Sequence, residues 1–163
     1  MVYYATPEWL KETKKAWDAD SNNAMLVRLK KIAMCYRILA NPSLGIDADL
    51  YFIQGLDNGS LVINRFCIRS EGEKMADWIL STTFETWKSI LRKKTKFVLA
   101  VVHGDVVVET GDKAALIGRV AWAADQWVTN YFNVETAWPD EMSPEEITAY
   151  RIKVRNFRKE LGV

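Results

Sequence analysis

The chain has little of what most protein chemistry uses. Its single histidine, His103, is the one residue in 163 whose ordinary pKa suits proton transfer near neutral pH. Beside Gly104 it reads as a turn or packing residue before it reads as a general base. Only two cysteines occur, Cys35 and Cys67, and both sit inside apolar patterns with neither metal-ligand spacing nor a redox motif. Buried free thiols are expected. The carboxylates Asp105, Glu109 and Asp112 follow one another along the chain without the converging set an oxygen-only metal site needs. Gly104 and Gly111 lie too far apart for a phosphate-gripping loop. No metal and no cofactor are therefore expected. A formal net charge of +1 supplies no general field for a polyanion, which argues against nucleic acid. No apolar run approaches the roughly 20 residues that span a bilayer, and the N-terminal stretch has no apolar core of the signal-peptide kind. A soluble, cytoplasmic protein is the expectation.

What is present is apolar and aromatic. Seven tryptophans stand in the chain, and each indole N–H needs an acceptor when buried. Ordinary packing accounts for them as well as a wide pocket lined by Trp87 and Trp122 does. Thr6-Pro7-Glu8 opens a helix by capping chemistry, with Trp9, Thr13, Ala16 and Trp17 on one face. Met25, Leu29, Ile32, Tyr36 and Leu39 keep helical steps and predict a helix over 23–40, stopped at Asn41-Pro42. Two strands, 50–56 and 61–68, flank Asp57-Asn58-Gly59, a hairpin turn signal. The polar stretch 69–74 reads as a loop. A strand follows over 76–82, with Trp78 and Leu80 on one face and Ile79 on the other. Thr83 caps a helix over 84–92, a second apolar turn covers 97–102, and a short strand covers 106–108. One long helix is predicted over 113–131, rich in alanine, so that its small residues allow close approach or leave room for a ligand. Ser143-Pro144-Glu145-Glu146 opens the last helix, striped by Ile147, Tyr150, Val154, Phe157 and Leu161. Strands with helices segregated around them predict an α+β class. A fifth strand would come from Val2-Tyr3-Tyr4.

The hairpin, the polar stretch and Ala76-Asp77-Trp78-Ile79-Leu80-Ser81 resemble the third-strand motif of the sterol carrier protein family. The continuation is similar too: helix 84–91, an apolar turn, Gly104, a short strand, then Gly111-Asp112 before a helix. The resemblance covers roughly residues 22–131, and Asp105 departs from the basic residue usual after the first glycine. It implies a single domain with a small mixed sheet, helices on one face, and an apolar tunnel between them. That tunnel would hold a fatty acyl chain, an isoprenoid or a sterol-like lipid, without catalysis, and the C-terminal helix would serve as its lid.

On that reading Leu80, Phe84, Leu91, Phe97, Val101, Val102, Val108 and Trp122 line the tunnel, with His103 near its polar end. The basic run Arg92, Lys93, Lys94 and Lys96 reads as a solvated helix end or as a contact for anionic lipid head groups. Two other readings remain open. One is a homodimeric interaction module burying Trp78 and Ile79 at its face. The other is an enzyme pairing His103 with a carboxylate.

Overall fold

The computed structural model describes residues 1–163. The chain begins with a two-residue strand, β1 (Val2–Tyr3), which pairs in parallel with β7 (Thr136–Ala137) and stands apart from the main sheet. Helix α1 (Pro7–Ala19) is capped as its sequence requires, the Thr6 hydroxyl accepting from the Trp9 amide. A 3₁₀ stretch (Ser21–Leu29) leads into β2 (Lys31–Ile38). Then come β3 (Leu50–Asp57), β4 (Ser60–Cys67), α2 (Arg69–Met75), β5 (Trp78–Thr82), α3 (Phe84–Leu91), α4 (Phe97–His103) and β6 (Val107–Thr110). Helices α5 (Lys113–Val120), α6 (Ala124–Phe132) and α7 (Pro144–Leu161) complete the chain. The main sheet has the order β4-β3-β2-β5-β6, antiparallel throughout except for the parallel β2–β5 pair. The α+β class and mixed sheet expected from sequence are what is found.

Five expectations need correction. Residues 23–40 are not a helix. Lys30 takes φ +58°, which ends the 3₁₀ stretch, and 31–38 run as the central strand. Both faces of β2 are covered, so its apolar residues do not alternate with polar ones and imitate helical steps instead. Ile32, Met34, Tyr36 and Ile38 enter the main core, while Cys35 points to a smaller cluster with Ile53, Cys67 and Ile79. This strand, not Val2-Tyr3-Tyr4, is the fifth of the sheet.

The polar stretch 69–74 is helix α2, whose Glu71 carboxylate accepts from the Ile68 amide at 3.2 Å. It covers the sheet face opposite the other helices. Gly72 makes that possible, because a Cβ there would lie 2.7 Å from the Cys35 sulfur. The helix expected over 113–131 is broken at residues 121–123, where the Ala123 amide bonds to Val120 rather than one residue further back. Finally, Trp78 and Ile79 are 3% and 0% exposed and belong to the chain's own interior, so they present no dimer face.

Elsewhere the local chemistry holds. Asn58 and Gly59 take φ +49° and +85° in the tight turn of the β3–β4 hairpin. Ser143 and Glu146 form the reciprocal cap of α7. That helix docks through Tyr150, whose hydroxyl donates to the Tyr4 carbonyl at 2.8 Å, and through Phe157 against Phe66. Both cysteines are free and buried. No helix is long and apolar enough to cross a membrane.

Candidate functional site

Between the sheet and helices α3 to α6 the interior is incompletely filled. The space open to the centre of a water molecule is about 40 Å³. All 15 lining residues are hydrophobic. The sheet supplies Met34, Tyr36 and Ile38 from β2 and Phe52 from β3; α3 supplies Trp87, Ile90 and Leu91, and α4 supplies Phe97. Val120 closes α5, and Ala124, Trp127, Val128 and Tyr131 come from α6. Tyr4 and Trp9 complete the wall from the N-terminal side.

The break at residues 121–123 produces part of this geometry. It ends α5 at Val120 and restarts the chain at Ala124, both on the cavity wall. Two ring pairs of the wall pack edge to face. Tyr36 meets Trp87 at 5.6 Å between ring centres and 76°, and Trp9 meets Phe52 at 6.0 Å and 84°.

Polar atoms in these rings are treated unequally. Four buried indoles find acceptors: Trp9 on the Thr136 hydroxyl, Trp17 on the Gly59 carbonyl, Trp78 on the Asp112 carbonyl and Trp127 on the Gln54 amide oxygen. Trp87 Nε1 is buried and has no protein partner, and the same holds for the Tyr131 hydroxyl. The Tyr36 hydroxyl reaches only the Met34 sulfur, at 3.9 Å, a weak acceptor. Burial raises the pKa of Tyr4, Tyr36 and Tyr131, and the phenols of Tyr36 and Tyr4 raise that of Tyr131 further. The wall is therefore uncharged.

A second recess adjoins the first and shares Ile90, Phe97 and Val128 with it. Its rim is polar, made by Lys93, Thr95, Lys96 and Asp125. Lys96 pairs with Asp125 at 2.5 Å across it, and the Lys93 ammonium lies 5.0 Å from the Phe132 ring centre. Of the basic run, Arg92 is held by Glu141 at 2.9 Å and Lys94 is exposed.

Two of the nine residues expected to line a tunnel, Leu91 and Phe97, are on the cavity wall. Leu80, Phe84 and Val101 are buried in the surrounding core without reaching the cavity. Val108 is half-buried on β6, packed against that core. Val102 is 50% exposed and Trp122 38% exposed, the latter stacked under the Arg28 guanidinium at 4.8 Å. His103, the last residue of α4, is exposed and outside the cavity. No residue of α7 lines the cavity. The sequence reading missed Met34, Tyr36 and Ile38 because it placed them on a helix. Val120, Ala124, Trp127, Val128 and Tyr131 all fall within the alanine-rich apolar helix expected over 113–131, which is the signal the sequence carries.

No protein-family model matches the sequence, and a search of curated proteins finds no match. Solved structures do match. One is a conserved hypothetical protein from Thermus thermophilus, suggested to be a sterol carrier protein, at a TM-score of 0.70 and 19% identity over 81% of this chain and 90% of that one. Another is sterol carrier protein 2, at a TM-score of 0.68 and 19% identity over 79% of this chain and 97% of that one. This chain has the sterol carrier protein fold.

Proposed function

We propose that the protein binds a lipid and carries it without chemical change, taking an acyl, isoprenoid or sterol-like chain between the sheet and helices α3 to α6. The observation that carries this reading is the uniformly apolar lining of the space between the sheet and helices α3 to α6. The names borne by proteins of the same fold agree with it. Ligand pockets for molecules of this size run from about 300 to 1,000 Å³. The open space of about 40 Å³ is far below that range. Uptake therefore requires the helices to part from the sheet.

The route favoured by the geometry is the recess rimmed by Lys93, Lys96 and Asp125, which shares a wall with the cavity. Lys93 and Lys96 would there meet anionic head groups of a donor membrane, at the cost of the exposed Lys96–Asp125 pair, a weak link at ordinary ionic strength. Burying a 16-carbon chain offers a gross gain of roughly 12 kcal/mol, at about 0.8 kcal/mol per methylene, before the costs of association. Native mass spectrometry of the purified protein, with organic extraction as control, tests for retained lipid. A fluorescent fatty acid titrated into extracted protein tests for saturable binding. Absence of both overturns the proposal.

A further inference from the structure

We propose that the preferred guest is an uncharged, largely apolar molecule carrying a carbonyl or ether-type oxygen, and that the Trp87 indole N–H and the Tyr131 hydroxyl donate to that oxygen inside the cavity. This deepens the lipid-binding reading and rests on it.

The argument begins with what the two donors lack. Trp87 and Tyr131 are 5% and 6% exposed, both form the cavity wall, and neither donor has a partner in the protein. Buried donors are almost always satisfied, and an orphan carries its full desolvation penalty. The same fold provides acceptors for the indoles of Trp9, Trp17, Trp78 and Trp127, so Trp87 is the buried indole left without one. A phenylalanine in place of Tyr131 would keep the ring and remove the penalty. Donors held at such a cost beside an apolar space are suited to a guest that brings its own acceptor.

The guest's charge follows from the wall. No lining residue is charged. A carboxylate drawn inside would lose its hydration with no cation to compensate. The adjacent cations, Lys93 and Lys96, lie on the rim of the outer recess. A free fatty acid would leave its carboxylate there, and the two inner donors would stay unmet. A ketone, ester or ether oxygen enters at a lower desolvation cost and meets them.

The test is calorimetric titration of the extracted full-length protein with decane, 5-decanone and decanoate, repeated on Tyr131→Phe and Trp87→Phe. In each variant the affinity for 5-decanone should fall about tenfold, the worth of one buried hydrogen bond. The affinity for decane should not fall with it. The carbonyl stretch of bound 5-decanone should lie at lower frequency in the wild type than in either variant. Ligand-free Tyr131→Phe should be at least as stable as the wild type in urea, which keeps the test independent of whether Trp87→Phe folds. An unchanged ratio of ketone to alkane affinity in Tyr131→Phe overturns this proposal and leaves lipid binding standing. So does tighter binding of decanoate than of the ketone with the same sensitivity to Tyr131→Phe. Loss of stability in the ligand-free variant would mean that the hydroxyl already has a partner, and also overturns it. Binding of none of the three overturns this proposal, while lipid binding stands or falls on retained lipid and saturable fatty-acid binding.

Discussion

Ala124→Leu separates an unfilled interior from a solid one by the sign of its effect. Ala124 is buried at the first turn of α6 and lines the cavity. Leucine is nearly as good a helix former as alanine, so the exchange costs the helix a few tenths of a kcal/mol at most. In a void of about 40 Å³ the added carbons find room. At about 24 cal/mol per Å³ of cavity, filling it stabilises the fold by about 1 kcal/mol. If α6 already touches the sheet there, the same carbons force side chains off their rotamers, and overpacking costs roughly 1–3 kcal/mol. The two cases differ by about 2–4 kcal/mol, well outside the error of urea unfolding. The expected result for lipid-extracted protein is a midpoint raised by about 0.5 M urea, together with loss of saturable fatty-acid binding. A lowered midpoint refutes the reasoning, because it shows that the space the ligand was assigned is already occupied by protein.

Gly111→Ala should be strongly destabilising, by about 3 kcal/mol or more, because Gly111 takes φ +90° and a Cβ there would stand 2.4 Å from both the Asp77 carbonyl oxygen and the Trp78 ring; thermal unfolding measures it. Tyr150→Phe should cost about 1–2 kcal/mol in urea unfolding by removing the bond to the Tyr4 carbonyl that seats α7. Glu141 has its pKa lowered by its hydrogen bond to Lys88, with Arg92 adding to the effect. The stability this contributes is present above the ordinary glutamate range and is lost as pH falls through the depressed value, so wild type and Lys88→Met should differ at pH 7 and converge in acid. Burial raises the pKa of Tyr4, Tyr36 and Tyr131, so the stability linked to their neutral forms is complete below pH of about 10 and is lost above it. The share of tyrosinate absorbance that belongs to these three buried phenols should consequently rise together with unfolding, not before it.

Capping and turn chemistry were legible because they act over three or four residues. Thr6, Thr83 and Ser143 sit where their hydroxyls meet the first free amides of α1, α3 and α7, and Asn58-Gly59 turns the hairpin. The faces of β5 were legible as well, since Trp78 and Leu80 enter the main core while Ile79 enters the smaller one. Burial on both sides was not legible. β2 lies between β3 and β5, with α2 beneath and the cavity above, so every second residue no longer marks a face. The covering of the second sheet face was hidden for a related reason. Arg69, Glu71, Glu73 and Lys74 make α2 polar on most of its surface, and its contact with the sheet runs through a glycine that carries no hydrophobic signal.

The two largest misreadings, the helix expected over 23–40 and the unbroken helix over 113–131, both border the cavity. β2 contributes Met34, Tyr36 and Ile38, and the interruption near Ala123 lies between Val120 and Ala124. A shared physical cause accounts for this. Pattern rules assume that each apolar side chain is buried by a protein neighbour on a predictable face. Around an unfilled space some faces have no such neighbour, so the apolar pattern no longer marks the faces of one regular element. Local rules are expected to fail at sites shaped for something other than self-packing. Filling the void from the α6 side and restoring the run across the break are then separable changes. Ala124→Leu alters the volume and should leave the break in place. If instead the substitution straightened 113–132 into one helix, seen as a gain in helical circular dichroism, the break would be a consequence of the void and not its cause.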